Sequence, residues 1–118
     1  MKMTVAGNDG ELVRVALSGP VTQRELAPMA EPLLDLLGPS AYCKRVMIDL
    51  NDVSYLDSSG VGWLLACHKR MRQAGGKLVL HSYSPIVSNV FRVLKLERVL
   101  DLAENALAAE KTAMGVGV

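Results

Sequence analysis

Aromatic side chains are scarce in this chain: one Trp, three Tyr and one Phe in 118 residues, 4% of the total. So few rings leave little for stacking on bases, and the Lys and Arg residues are scattered rather than gathered into a patch that tracks a phosphate backbone. The formal net charge is only +1. Direct nucleic-acid binding is therefore not expected. Long apolar runs are missing as well. Half of the residues are hydrophobic, yet no stretch approaches the roughly 18 consecutive apolar residues of a membrane span. The N-terminus shows no basic-then-apolar secretion pattern. The expectation is a cytoplasmic chain without membrane insertion. Cysteine is nearly absent too: Cys43 and Cys67 have no C-x-x-C spacing, and His68 and His81 do not fall at zinc-ligand intervals. Free thiols, no metal and no cofactor are expected, with Cys67 a small apolar helix residue and Cys43 a loop residue.

Two enzyme signatures are also missing. No glycine stands two residues before Ser58, so the G-x-S-x-G nucleophile elbow is not formed, and no Walker-type glycine-rich loop occurs. His68 and His81 have no acid or thiol partner at a sensible spacing and read as structural. The chain reads as a non-enzyme.

What is present is an alternation of short strands and helices within a length that suits one domain, residues 1–118, with a frayed tail at about 115–118. Met3 to Ala6 and Leu12 to Leu17 flank Gly7-Asn8-Asp9-Gly10, the pattern of a hairpin. Thr22-Gln23-Arg24-Glu25 has capping-box spacing, followed by Leu26, Met29, Leu33, Leu36 and Leu37 at helical intervals. Pro28 and Pro32 interrupt this segment, with Pro32 read as lying past the first turn, so a kinked or late-starting helix is expected. Arg45 to Leu50 reads as a buried strand, Asn51 to Tyr55 as a connecting turn, and Asp57 to Arg72 as a helix closed by Gly75-Gly76. Val61, Leu64, Leu65, His68 and Met71 line one side of that helix. Lys77 to His81 is a strand. Ser84 caps a helix with Pro85 at its first position and Ile86, Val87, Val90, Phe91 and Leu94 as its apolar face. A short strand at Val99 to Leu102 and an alanine-rich helix from Glu104 to about Met114 complete the pattern. Strands joined by helical crossovers imply a mostly parallel sheet of four to five strands, made mixed by the opening hairpin, with about four helices.

The most informative stretch is Tyr55-Leu56-Asp57-Ser58-Ser59-Gly60-Val61-Gly62. Asp and Ser cap helices because their side-chain oxygens accept from first-turn N–H groups that have no helical partner. Gly60 and Gly62 each cost a helix about 1 kcal/mol against Ala, which points to close approach of another backbone or a partner. Function in parallel sheets collects at strand C-terminal ends, where this turn falls.

Together these elements resemble the STAS domain of bacterial anti-sigma factor antagonists. The resemblance rests on I-D-L-N-D-V-S-Y-L-D-S-S-G-V-G, on the following helix ending in A-G-G-K-L-V-L, on Ser84-Pro85-Ile86-Val87, and on Phe91 to Leu96 leading to a last strand. It implies helices mainly on one face of the sheet. It also implies that Ser58 is phosphorylated by an anti-sigma factor serine kinase of histidine-kinase-like ATPase fold, which is at once the binding partner, and that a serine phosphatase reverses the modification. ATP and magnesium would belong to the kinase. Ser59 is a secondary phosphorylation candidate. The partner-binding surface is expected at Thr22, Asp52, Asp57, Ser58, Ser59, Gly60, Val61, Gly62 and Trp63, with Trp63 read either as half-buried packing or as an interface anchor. Asp49, Asp52 and Asp57 could suggest a magnesium site, but solvated turn carboxylates are the preferred reading. The chain departs from the family at Gly19-Pro20-Val21-Thr22, where antagonists commonly carry G-x-L-D; Thr22 can cap but brings no charge. The alternative is a non-phosphorylated STAS subunit of a stressosome-like or ABC lipid-transport assembly. A monomer or weak dimer is expected.

Overall fold

The computed structural model describes residues 1–26 and 31–115. Pro28 and Met29 of the expected first helix, and residues 116–118 of the expected frayed tail, lie outside the described residues. In chain order the elements are β1 (Lys2–Asn8), β2 (Leu12–Val21), α1 (Pro32–Leu37), β3 (Arg45–Leu56), α2 (Ser58–Ala74), β4 (Lys77–His81), α3 (Pro85–Val93), β5 (Asp101–Ala103) and α4 (Ala106–Met114). The strands form one sheet in the order β1-β2-β3-β4-β5. β1 and β2 are the expected antiparallel hairpin, and β2 through β5 pair in parallel.

This strand order explains where the helices lie. Each crossover from β2 to β5 moves one place in the same direction, and right-handed crossovers in one direction put their helices on one face. Leu33 of α1, Leu64 and Met71 of α2, and Val87 and Phe91 of α3 accordingly share one core cluster with sheet residues such as Ile48 and Leu80. α4 follows the last strand and is no crossover, so the rule does not bind it. It covers the opposite face, where Ala109 and Ala113 meet Leu12, Met47, Val79 and Ala103. Arg14 of β2 ties it down by a 3.2 Å ion pair to Glu110. The mixed, mostly parallel sheet with helices mainly on one face is thus the architecture observed.

Three sequence expectations need correction. Asn51 to Tyr55 is not a turn: β3 continues through it to Leu56, because Asp52, Val53, Tyr55 and Leu56 pair with Ser18, Gly19, Pro20 and Val21 of β2. Asp52 pairs with Ser18, and Asn51 falls in the first of two register shifts, each of which takes an extra residue on β3. Pro20 is tolerated because β1 ends its pairing at Ser18, so Pro20 lies beyond that neighbour. Pro32 is not past the first turn; it opens a late helix, where a missing N–H costs nothing. In α3 the apolar face is narrower than read: Val87 and Phe91 are buried while Ile86 and Leu94 are exposed. Cys67 is buried in the main core, and burial pushes its thiol up to about 12. Cys43 is exposed, in a short 3-10 turn over Ala41–Cys43 that precedes β3.

The alanine face of α4 sets how closely it lies on the sheet. Ala109 is 0% exposed and Leu107 is 66% exposed on the same helix. Ala109→Leu is expected to lose about 1–3 kcal/mol by overpacking, whereas Leu107→Ser should change stability by less than about 0.5 kcal/mol. Urea unfolding of the two variants checks this, and equal losses would contradict the packing described.

Candidate functional site

The start of α2 is held by one carboxylate. Asp57 sits in extended backbone just before the helix, and its Oδ1 accepts from the Gly60 N–H at 2.9 Å. Its Oδ2 accepts from the Gln23 N–H at 2.9 Å, 34 residues away in sequence. The same side chain therefore caps α2 and pins the turn that follows β2. These N–H groups, Gln23 first and Gly60 second, hold the Asp57 carboxyl below its ordinary value. Backbone joins the same corner, with Asp57 N–H donating to the Val21 carbonyl at 3.4 Å.

Gly60 is the close-approach residue. It is buried, and a Cβ there would overlap the Val21 carbonyl oxygen and crowd Leu56. α2 can begin against the end of β2 only because that side chain is missing. Gly62 differs: it is exposed, and among the described residues nothing outside its own stretch of helix lies within 4 Å of where its Cβ would be. The expectation of close approach by another backbone holds at Gly60 and fails within this chain at Gly62.

Around this corner, Ser58 is the first helical residue of α2 and is exposed, and Ser59 is half-buried. Their N–H groups fall in the first turn, outside the helix ladder. Asp52 is exposed on the extended end of β3, so it belongs to a strand and not to a turn. Val61 is buried. Of the two readings of Trp63, the structure shows packing: it is 9% exposed and lies in the main core, on the same helix face as Gly60, Leu64 and Cys67. Thr22 does not offer a free hydroxyl, since its Oγ1 and N–H both donate to the Glu25 carboxylate. The capping-box pattern is formed, with the Glu25 and Leu26 N–H groups donating to the Thr22 carbonyl. The Thr22 hydroxyl is the main cause of the lowered Glu25 pKa. Sequence reasoning missed Gln23 and Val21, which act at this corner through their backbone. No group of three or more His, Cys, Asp or Glu side chains suited to a metal occurs among the described residues.

A family model described as "Mlab, STAS domain" matches residues 5–104, which include the whole of this corner. The chain belongs to the STAS domain family. A chain of Bordetella bronchiseptica (strain ATCC BAA-588 / NCTC 13252 / RB50), assigned as anti-sigma factor antagonist BtrV, is 32% identical over 117 residues, 97% of this chain and 98% of that one. That match along nearly all of both chains places this STAS domain among the anti-sigma factor antagonists of the family. The anti-sigma-B factor antagonist of Bacillus subtilis (strain 168) is 33% identical over 86 residues, 73% of this chain and 70% of the relative. Among solved structures, an anti-sigma factor antagonist assignment from Thermotoga maritima matches with TM-score 0.79 at 18% identity, covering 96% of this chain and 93% of that one. The anti-sigma factor antagonist SpoIIAA in its unphosphorylated form matches with TM-score 0.72 at 20% identity, covering 99% of this chain and 100% of that one. At these identities the structural likeness establishes the fold alone.

The two glycines of this STAS domain give opposite outcomes. Gly60→Ala should destabilise by about 1–3 kcal/mol or more through the clash with Val21, while Gly62→Ala should stabilise by up to about 1 kcal/mol through helix propensity; chemical denaturation of both variants decides it. The depressed pKa of Asp57 gives a second expectation. Its contribution to stability is present above the ordinary value of 3.8 and is lost as pH falls below that, through the folded-state value. Asp57→Asn, which cannot accept from both N–H groups as a carboxylate does, should flatten this acid limb of the melting-temperature profile and lower the neutral-pH melting temperature. An unchanged acid limb would show that the carboxylate is not coupled to folding.

Proposed function

We propose that this chain, acting as a single domain, is a phosphorylation-switched anti-sigma factor antagonist: it binds an anti-sigma factor serine kinase, frees a sigma factor, and is switched off at Ser58. The observation that carries this reading is the exposed Ser58 hydroxyl on the first residue of α2, directly after a carboxylate already committed to two N–H groups. A phosphate there adds about −1.5 to −2 charge at a helix N-terminus, whose dipole and free N–H groups favour an anion. The fold tolerates the modification. A partner packed over the turn does not, because it would have to desolvate a dianion beside the ionised Asp57. Binding is lost while the domain stays folded.

Support comes also from the relatives, two of which bear antagonist names along most of their length, and from SpoIIAA, whose fold has been solved in unphosphorylated and phosphorylated forms. In this reading the domain is substrate and binding module, the kinase supplies ATP and magnesium, and a serine phosphatase resets the cycle. Ser59, half-buried, is the lesser site. Asp52, Ser58, Ser59 and Gly62 form the accessible part of the partner surface, and the chain itself is a monomer or weak dimer. Asp57, Gly60 and Val61 shape that surface from within. Thr22, engaged with Glu25, contributes the shape of its turn where family members commonly place a charge. A non-phosphorylated structural subunit of a stressosome-like or ABC lipid-transport assembly is the second reading, since the STAS family to which the chain belongs is broader than its antagonists.

Incubation with a cognate anti-sigma factor kinase, ATP and magnesium, followed by peptide mass spectrometry, should place phosphate on Ser58. Ser58→Asp should weaken kinase binding by at least about tenfold, some 1.4 kcal/mol, with an unchanged melting temperature, while Ser58→Ala binds and cannot be released by ATP. Equal binding by both variants, with no phosphate on Ser58, would favour the structural-subunit reading.

A further inference from the structure

The far end of α2 carries a second feature that the antagonist reading does not use. Two adjoining grooves, of about 470 and 480 Å³, open between α2 and the segment leading into β5, and both are lined by His68, Arg72 and Val99. Each volume falls within the range of small-molecule sites, about 300–1,000 Å³. Their linings differ in character. The first is polar, lined by Arg72, Lys77 and Arg98 together with Glu97 and Asp101. The second is largely apolar, lined by Leu65, Lys69, Gln73 and Val99 besides the shared His68 and Arg72. At the junction stands His68, 6% exposed, with an Nε2 that has no hydrogen-bond partner among the described residues. Buried polar atoms are nearly always paired, so an orphan beside an open groove marks a place where a partner is missing.

The charges around the grooves are free as well. Lys69, Arg72, Lys77 and Arg98 enter none of the ion pairs found among the described residues, nor do Glu97 and Asp101. Four cationic side chains against two carboxylates leave the field positive. Val99 is 51% exposed, an apolar side chain at the common wall of both grooves. Ser58 and Arg72 are 14 residues apart on α2, about 21 Å at 1.5 Å per residue. The two sites are separate.

We propose that these grooves form a binding site for a small amphiphilic anion, its apolar body against Leu65 and Val99 and its charged head among Arg72, Lys77 and Arg98. Arg72 lines both halves, and its side chain suits both, an apolar stem ending in a guanidinium. Arg is suited to this because its planar fork can hold a carboxylate or phosphate with two hydrogen bonds. His68 lies where head and body of such a ligand meet.

Amide NMR titration of the whole chain tests the proposal, with octyl phosphate, octanoate, inorganic phosphate and octyltrimethylammonium as probes. Octyl phosphate and octanoate are expected to shift the amides of Leu65, His68 and Val99 and leave those of Ser58 and Ser59 unmoved. Inorganic phosphate and octyltrimethylammonium should bind at least about tenfold more weakly, lacking one half of the interaction each. Arg72→Ala and Arg98→Ala, both at exposed positions that leave the core intact, should weaken octyl phosphate by a similar factor with unchanged melting temperature. Equal affinity for inorganic phosphate would reduce the site to a charge patch and overturn the proposal. Equal affinity for the cationic amphiphile would reduce it to an apolar surface, and no shift with any probe would remove it.

Discussion

The end of β2 and the beginning of α2 meet at a distance that only a glycine permits. Val21 offers its carbonyl to the Asp57 N–H, Gly60 lies against that same carbonyl, and the Asp57 carboxylate reaches across to Gln23. Every other feature of the corner follows from this contact. It fixes where α2 starts, hence which residue is first in the helix and which hydroxyl stands outward. It also requires β3 to run the full length from Arg45 to Leu56, since Leu56 must pair with Val21 for Asp57 to arrive beside it.

Much of this was legible in the residues because it is local. Asp before two serines and a glycine announces a cap, and the carboxylate, not a serine, turned out to hold it. Ser84-Pro85 at the start of α3 and Gly75 in left-handed backbone at the end of α2 were equally readable, since caps and C-terminal glycines act within a turn. The five-strand alternation was likewise written in short apolar runs between turn residues.

What was not legible depends on partners distant in sequence. Asn51 and Asp52 look like a turn until β2 is known to run beside them. Trp63 looked free of the apolar stripe because a single stripe was assumed, whereas α2 is enclosed widely enough to bury Gly60, Trp63 and Cys67 together with Leu64 and Met71. Gln23 left no trace at all, since it acts through an N–H that every residue but proline possesses. Ile86 and Leu94 erred the other way: helical spacing placed them on a face, but α3 presents only part of that face to the sheet. The site was thus readable in its side chains and unreadable in its backbone.

The contrast between the two thiols bears on the lifetime of the molecule. Burial pushes the Cys67 thiol up to about 12, so at neutral pH it stays protonated and unreactive. Cys43 stands exposed, and it is the chain's one other cysteine. Thiol oxidation is therefore directed to Cys43, because the other thiol is shielded inside the fold. Disulfide chemistry then starts from one point on the surface, joining two intact molecules or capping one, while the buried thiol becomes available only as the domain unfolds.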